Sequence, residues 1–450
     1  MNKTVVILVD DKNRDLPGCA LIAHHLENRL QIRCELQPLE SWRACLAAFK
    51  PDYILFNHLT SSHLAHFSRR LRDMGILVGV LPNEGLNYDQ EDLEYNAGKY
   101  HSYAHIDQFF CWNEAHGEAL KRHMNLSPDN IHVVGIPRFD FYFEPWEKVF
   151  HNPALESMAA RPRILVCTNF AFAKFKDLPQ AKVDRHFSPW KDRVSSYKNY
   201  WEFIEVSARS RDRFFAFLNA IINGTEYFID LKPHPREDQS PYTSWFRGLS
   251  PAKRQRVRLI LTEMIYEALP LCDLEISCER CTTALEAWIL GKPTIELVFE
   301  RYPVYFDEAT AACNRLCDSP EELPGLIRRE LQKPEQEDLR EKRRKHLYQW
   351  CSSPSGDSSL KTAQIIAQAL DRQREPRWHF TLQDWRRAVK LKMKNSLGLA
   401  YGSNPWRRLQ SLIAGMEKDH LEAKFIGPRD IRRWKETLLK AGSFGSPHSQ

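Results

Sequence analysis

Residues 274–297 have the sequence LEISCERCTTALEAWILGKPTIEL, and this stretch decides the predicted fold of the chain. Leu274, Ile276 and Cys278 alternate with polar residues, as in a strand with one buried face. A helical stretch follows, and Gly291 is placed to end it before a second apolar run begins. A strand, a helix and a second strand in direct succession predict one repeat of an α/β sheet.

The start of the predicted helix is a candidate anion site. Thr282 and Thr283 lie where a helix N-cap and first turn belong, and Glu286 follows one turn later as in a capping box. A helix N-terminus presents unpaired backbone N–H groups and the positive end of the helix dipole. Two hydroxyls and a carboxylate there could hold the phosphate and ribose of a nucleotide. On this stretch alone, an ordinary capped helix is the more common explanation.

A second stretch, 226–238, has the sequence EYFIDLKPHPRED. An apolar strand runs directly into Lys-Pro-His-Pro, and the prolines on either side of His234 fix the backbone and stop the strand. Asp230, Lys232 and His234 are spaced by two residues, so all three can face one side at the carboxyl end of the strand. Ligands of open α/β sheets bind beyond such strand ends. A cation and an imidazole there suit a phosphate, and a surface loop with a chance histidine is the alternative.

The composition is typical of a globular cytoplasmic protein with two or three domains. Hydrophobic residues make up 43% and charged residues 27% of the chain. No apolar run approaches the ~20 residues of a spanning helix, and the opening MNKTVVILVDD predicts a strand rather than a signal peptide. The 11 cysteines are odd in number and scattered, which predicts reduced thiols. Cys278/Cys281 and Cys313/Cys317 lack a second pair at zinc spacing, so we predict structural cysteines and no metal.

Short apolar segments that alternate with helical patterns predict two Rossmann-like domains with parallel sheets and a functional cleft between them. No GxGxxG follows the first strand, so no dinucleotide cofactor is predicted. The polar insertion from Lys174 to Tyr200 is predicted to be a loop or lid. The predicted division is a first domain at 1–144, a linker at 145–162, a second domain at 163–334, helices crossing back at 335–375, and a helical tail at 376–450. The strands of the first domain are predicted at 4–10, 33–39, 53–57, 76–83, 108–113 and 131–135.

The tail at 376–450 is strongly basic, with 15 Lys and Arg against 6 Asp and Glu. Aromatic residues are interleaved with this charge, and they are Trp378, Phe380, Trp385, Trp406 and Trp434. Basic and aromatic residues together suit the surface of an anionic membrane. A solvated helical appendage is an equal alternative. Single-stranded nucleic acid would also suit the pattern, but nothing else in the chain supports it.

Six strings in this order resemble the bacterial surface carbohydrate biosynthesis protein family: NRDLPG, LPNEG, GIPRFDFY, CTNFAFAKF, KPHP and CTTALEAWILGKPTIEL. They span roughly Val5 to Leu297 and leave the tail after Pro376 uncovered. That family is related to, and includes, the retaining β-Kdo transferases, which have the GT-B fold and use CMP-β-Kdo. The resemblance implies an acceptor-side first domain and a donor-side second domain that face a central cleft. The basic helical extension after them is predicted from the composition of the tail alone.

The resemblance also implies roles for individual residues, since the chain is similar in style to bacterial sialyltransferases. In those enzymes an HP motif and paired small hydroxyl residues hold the CMP. Carried over, Lys232 and His234 contact the CMP phosphate, and His234 assists catalysis there. Thr282 and Thr283, which replace a Ser-Ser pair, bind the phosphate from the start of the helix. Glu286 takes the ribose hydroxyls.

Glycosyl transfer from a CMP-sugar also needs a carboxylate near the anomeric carbon, as a base or as a nucleophile. Glu84 follows a strand end, precedes the flexible Gly85 and resembles the acidic-Gly base motif of CMP-dependent transferases. Asp230 lies on the donor side and is the nucleophile candidate for a retaining enzyme. Other residues expected at the cleft are Arg14 and Asp15 on the acceptor side, Asp140 as a further carboxylate, and Arg138 and Asn169 toward the donor.

The sequence therefore predicts a cytoplasmic glycosyltransferase that builds lipopolysaccharide or capsule from CMP-Kdo. A peripheral place on the inner membrane is a further expectation. Its expected partners are the CMP-sugar, a glycan or lipid-linked acceptor and, through 376–450, an anionic membrane surface. Two alternatives stay open: a GT-B transferase or epimerase that uses a UDP-sugar, and a non-catalytic binding subunit of a polysaccharide assembly complex. The absence of a metal-binding DxD motif at the expected place favours the non-catalytic binding subunit.

Overall fold

The computed structural model describes residues 3–86, 90–124, 126–151, 161–192, 194–332, 336–352, 354–400 and 423–443. The chain divides into two compact units. The first unit comprises Met1–Val149 and Gln349–Gln450, and the second comprises Phe150–Tyr348. Most of the predicted linker (152–160) and the aromatic residue Trp406 lie outside the described residues.

The first unit contains a parallel sheet of six strands in the order β2-β1-β3-β4-β5-β6. Every residue of the first strand is buried, as expected for a parallel sheet covered on both faces. These strands are β1 (Thr4–Val9), β2 (Arg33–Pro38), β3 (Tyr53–Phe56), β4 (Leu77–Val80), β5 (Gln108–Cys111) and β6 (Ile131–Val133). The helices of its N-terminal part are α1 (Leu16–Asn28), α2 (Trp42–Phe49), α3 (Ser62–Asp73), α4 (Gln90–Gly98) and α5 (Glu114–His123).

The second unit contains a parallel six-stranded sheet in the order β12-β11-β10-β7-β8-β9. Its strands are β7 (Arg163–Cys167), β8 (Phe228–Lys232), β9 (Val257–Leu259), β10 (Leu274–Cys278), β11 (Thr294–Leu297) and β12 (Arg315–Cys317). Its helices are α6 (Gln180–Phe187), α7 (Tyr200–Gly224), α8 (Ser240–Gly248), α9 (Pro251–Arg254), α10 (Ile265–Ala268), α11 (Thr283–Ile289), α12 (Glu308–Ala311) and α13 (Leu323–Gln332). The two parallel sheets confirm the predicted α/β architecture with two Rossmann-like domains.

One face of the second sheet is apolar and the other is polar. Ile164, Ile229 and Ile276 belong to a core cluster that includes residues of α7. The alternate residues of the same strands, such as Asp230 and Glu275, are buried polar groups. The polar face places charged side chains directly beneath the strand ends where the predicted site lies.

The segment 174–200, which was predicted to be a loop or lid, contains α6 and contributes side chains to a buried aromatic cluster. It is therefore packed as part of the second unit rather than as a bare loop. Phe175, Phe187 and Phe203 share a buried cluster with Tyr305, and the rings of Phe187 and Tyr200 stack with centroids 4.8 Å apart. The aromatic residues of this segment have no single helical or strand period, so the pattern did not reveal that they pack together.

The chain returns to the first unit at the end of α14 (Glu337–Cys351), most of which belongs to the second unit. The later helices of the described residues are α15 (Ser358–Arg372), α16 (Leu382–Ser396) and α17 (Pro428–Ser443). The helix α15 packs on α1, and α16 packs on α2. Ala388 and Leu391 of α16 join the core of the first sheet. Residues 376–400 and 423–443 are therefore built into the first unit on at least one face. In the described ranges, no helix combines the length and the apolar character needed to cross a bilayer.

Asp140 has a structural role rather than the catalytic one for which it was a candidate. Its carboxylate accepts hydrogen bonds from the backbone N–H groups of Ser358 (3.1 Å) and Ser359 (2.7 Å), and from the hydroxyl of Ser359 (2.5 Å). These N–H groups are the unpaired donors at the start of α15. Asp140 thus caps a helix that lies more than 200 residues further along the chain, and it is 1% exposed.

Candidate functional site

The predicted phosphate site lies at the carboxyl ends of three neighbouring strands, β10, β7 and β8. The strand β7 is followed by Thr168 and Asn169, β8 by Pro233 and His234, and β10 by a turn beginning at Glu279. The sheet therefore brings together three loops from distant parts of the sequence.

Glu237 organises two of these loops, although the sequence analysis did not single it out. One carboxylate oxygen accepts hydrogen bonds from the Thr168 hydroxyl and the Phe170 N–H, both at 2.7 Å, and from the His234 N–H at 3.3 Å. The other accepts a hydrogen bond from the hydroxyl of Tyr242. Burial raises the pKa of Glu237, although these hydrogen bonds oppose the shift. The carboxylate fixes the loop after β8 against the loop after β7.

His234 is held as a neutral imidazole with a defined tautomer. The backbone N–H of Arg236 donates to Nδ1 of His234 over 3.1 Å, which leaves the ring proton on Nε2. Burial, together with the positive charges of Arg236, Lys174 and Lys232, lowers the pKa of His234 to about 4. At neutral pH the ring therefore presents an Nε2–H donor in a positively charged environment.

Two lysines of this environment are anchored to backbone carbonyls. Lys232 Nζ donates to the carbonyl oxygen of Glu263 over 2.6 Å, and Lys174 Nζ donates to that of Arg236 over 2.7 Å. Burial lowers the pKa of Lys232. An ammonium group has three N–H donors, so the single carbonyl contact of Lys232 leaves it able to bind an anion as well.

The turn after β10 has an unusual backbone. Glu279 and Arg280 are consecutive non-glycine residues in the left-handed region, each with φ of +55°. Such conformations are costly and cluster at functional sites. The Asn169 side chain donates to the carbonyl oxygen of Glu279 over 2.8 Å. Asn169 thus holds the turn in place, a supporting role that differs from the predicted contact with the donor.

The predicted capping box at the start of α11 does not form. Thr282 has helical dihedral angles (φ −71°, ψ −6°) and makes no side-chain cap, because a capping residue needs an extended backbone. The Thr283 hydroxyl donates to the Glu275 carboxylate over 2.7 Å, and burial raises the pKa of Glu275 to about 8. Glu286 is only 5% exposed. Glu286 is thus buried and the Thr283 hydroxyl is engaged by Glu275. Among the groups predicted to meet a ligand at this helix start, Thr282 and the backbone N–H groups remain as candidates.

Asp230 does not reach the strand-end surface. It is fully buried and receives hydrogen bonds from Arg258 at 2.7 and 3.1 Å. The guanidinium of Arg163 lies 3.6 Å away. These partners fix the carboxylate within the polar face of the sheet, and this environment argues against the predicted role of nucleophile.

A second polar cluster lies at the carboxyl ends of β1 and β4 in the first unit. Arg14 Nη1 donates to Glu84 over 2.5 Å, and Arg14 Nε donates to Asp15 over 2.7 Å. Asn83 also donates to Asp15 over 2.7 Å. The Glu84 side chain is 57% exposed, whereas Asp15 is buried. Burial raises the pKa of Asp15 to about 6. The structure thus brings Arg14, Asp15 and Glu84 together, with Glu84 as the accessible carboxylate.

Arg138 and Gly85 border this cluster. The Arg138 guanidinium lies 5.1 Å from the centre of the Trp112 ring and donates to the carbonyl oxygen of Asn83 over 3.5 Å. A Cβ atom at Gly85 would lie 3.5 Å from Trp112, which is an ordinary contact. The packing of the protein around position 85 therefore does not by itself require a glycine.

The C-terminal segment adds a residue to the same cluster that sequence reasoning missed. Lys424 Nζ contacts the Asp10 carboxylate at 2.5 Å, and the N–H of Lys12 donates to the carbonyl oxygen of Ala423 over 2.8 Å. These residues are more than 400 positions apart, so no local pattern could have indicated the pairing.

Comparisons with solved structures identify the fold. A variant of the wall teichoic acid polymerase TagF soaked with CDPG superimposes with a TM-score of 0.51 at 12% identity, covering 82% of this chain and 90% of that one. A putative UDP-N-acetylglucosamine 2-epimerase from Listeria monocytogenes gives 0.50 at 13%, covering 85% and 100%. No protein-family model and no curated protein matches the chain. At this identity the likeness concerns the fold alone, and the chain has the predicted GT-B fold class.

Proposed function

We propose that the protein is a glycosyltransferase of bacterial surface polysaccharide biosynthesis that transfers Kdo, with retention, from CMP-β-Kdo to a glycan or lipid-linked acceptor. The main support for this proposal is the environment of His234. Its ring is neutral, its Nε2–H is available as a donor, and the charges of Lys174, Lys232 and Arg236 surround it. A bound phosphate would satisfy the donor and offset the three cations.

The His234 side chain can also assist the departure of CMP. When the bond between the anomeric carbon and the phosphate oxygen breaks, negative charge develops on that oxygen. The Nε2–H of His234 and the ammonium of Lys232 stabilise this charge. The bound phosphate in turn raises the pKa of His234 and so favours the imidazolium form of the ring. An imidazolium holds the departing phosphate through a stronger, charge-assisted hydrogen bond.

The accessible carboxylate in this proposal is Glu84. Its side chain is exposed and its orientation is fixed by Arg14. In a retaining transfer it is suited to stabilise the positive charge that develops on the sugar ring as the bond to the phosphate oxygen breaks. The acceptor oxygen then forms the new bond on the face from which CMP departs, and its proton passes to the departing phosphate. Asp230 takes no part in the chemistry, because it is buried between two arginines.

A second candidate is a transferase or epimerase that uses a UDP-sugar, and the fold likeness to the putative 2-epimerase supports it. A panel of CMP-, CDP- and UDP-sugars, with the released nucleotide measured by mass spectrometry, separates the two. Release of CMP from CMP-β-Kdo supports the first proposal. Release of UDP alone would replace it, and no release from any donor would favour a non-catalytic binding subunit.

A further inference from the structure

The helix α16 has two contrasting faces. On the inner face, Ala388 and Leu391 are buried in the core of the first sheet. Asp384 on that face forms an ion pair with Arg70 at 2.6 Å and completes a capping box with Thr381. The helix is therefore held firmly, and its outer face has a fixed orientation.

The outer face carries an apolar stripe. Its members are spaced by three or four residues and so lie in one row along the helix. Each is more than two-fifths exposed in the part of the chain that the structure describes. We call these residues the α16 stripe: Leu382, Trp385, Val389, Met393 and Leu397. A solvated helix face is normally polar, so an ordered row of exposed large apolar side chains indicates a binding surface.

Positive charge flanks the stripe on both sides. At 100° per residue, Arg386 and Lys390 lie along one margin and Lys392 lies along the other, and all three are exposed. The only acidic residue of the helix is Asp384, whose charge is engaged by Arg70 on the inner face. The outer face therefore combines apolar side chains with cations and no exposed carboxylate of its own helix.

We propose that the α16 stripe lies on an anionic lipid bilayer. The apolar row would enter the boundary between headgroups and acyl chains, and the flanking cations would contact lipid phosphates. Trp385 suits the headgroup level, where indole rings are enriched. This proposal places the membrane-binding surface on one face of one helix rather than on the whole of 376–450. It does not depend on which sugar donor the protein uses.

The test uses the full-length protein in flotation assays with vesicles of phosphatidylcholine, alone or mixed with phosphatidylglycerol. The wild type should bind only the mixed vesicles, and added salt should weaken binding because exposed charges are screened over ~8 Å at physiological ionic strength. Val389→Ser combined with Met393→Ser should weaken binding on the order of tenfold or more, because two apolar side chains no longer enter the lipid. Lys390→Gln combined with Lys392→Gln should weaken it roughly tenfold or more.

The matched control is Leu439→Ser, which replaces a leucine that is 50% exposed on α17 and should leave binding unchanged. All substitutions lie at exposed positions, and unchanged melting temperatures would verify the fold. Equal vesicle binding by the wild type and the stripe variant would overturn the proposal. The proposal would also be overturned if the stripe variant lost self-association but kept vesicle binding. In that case the α16 stripe would contact a second copy of the chain.

Discussion

The backbone N–H of Arg236 donates a 3.1 Å hydrogen bond to Nδ1 of His234. This bond makes the histidine a donor through Nε2, and the prolines at 233 and 235 limit the backbone conformations on both sides of it. Glu237 then ties the loop to the neighbouring strand end through Thr168. The short motif thus holds the His234 ring in one tautomer just beyond the end of β8.

Replacing His234 should therefore impair catalysis without unfolding the protein. We expect His234→Ala to lower turnover by about two to three orders of magnitude, the scale for losing a group that stabilises developing charge. The control is His379→Ala, because His379 is an exposed histidine in the other unit. Steady-state kinetics with CMP-β-Kdo measure the effect. Wild-type turnover in His234→Ala would make the residue structural.

The depressed pKa of His234 predicts a pH-dependent contribution to stability. Its pKa falls from 6.5 to about 4 in the folded protein, so between these values the unfolded chain binds the extra proton. Stability is then lost as the pH falls from 6.5 toward 4. His234→Gln should lose less stability over this window than the wild type. Denaturant unfolding at several pH values measures the difference, and parallel pH profiles would contradict the assignment.

Asp230 and Glu84 should respond differently to neutralisation. Asp230→Asn leaves two arginines of the sheet without their carboxylate, and we expect it to cost roughly 3 kcal/mol of unfolding free energy. The control Asp212→Asn removes the ion pair between the exposed Asp212 and the partly buried Arg211 and should cost less than about 1 kcal/mol. A stable but inactive Asp230→Asn variant would instead restore the role of Asp230 in the reaction.

Glu84→Gln should lower turnover by roughly two to three orders of magnitude, the scale for losing a group that stabilises developing charge. Its melting temperature should stay close to that of the wild type, because the Glu84 side chain is 57% exposed. Glu118→Gln is the control, since Glu118 is a comparably exposed ion-paired carboxylate in the same unit. Full activity in Glu84→Gln would show that another carboxylate acts at the anomeric carbon, and Asp15 would be the next candidate to test.

Activity should persist in EDTA. The leaving group of a CMP-sugar carries a single phosphate, and Lys174, Lys232 and Arg236 already supply positive charge near His234. Initial rates with and without EDTA measure this directly. Complete loss in EDTA that Mg²⁺ restores would contradict the expectation.

Local patterns predicted the sheets well, because short apolar runs and turn residues determine strands over a few positions. The six strands predicted in the first domain all exist, with slightly shorter bounds. The site was only partly predictable, because its arrangement depends on distant partners. Nothing near Asp140 indicates that it caps a helix starting at Ser358. Likewise, the polar face that buries Asp230 exists only once β7, β8 and β9 lie side by side.

The most direct test of the central claim is calorimetric titration of CMP into the wild type, His234→Ala and Glu84→Gln, with UDP as the competing nucleotide. The account predicts that CMP binds the wild type and Glu84→Gln with similar affinity and binds His234→Ala at least about tenfold more weakly, as expected for a lost hydrogen bond to a charged group. Unchanged CMP affinity in His234→Ala, or binding of UDP without binding of CMP, would contradict it.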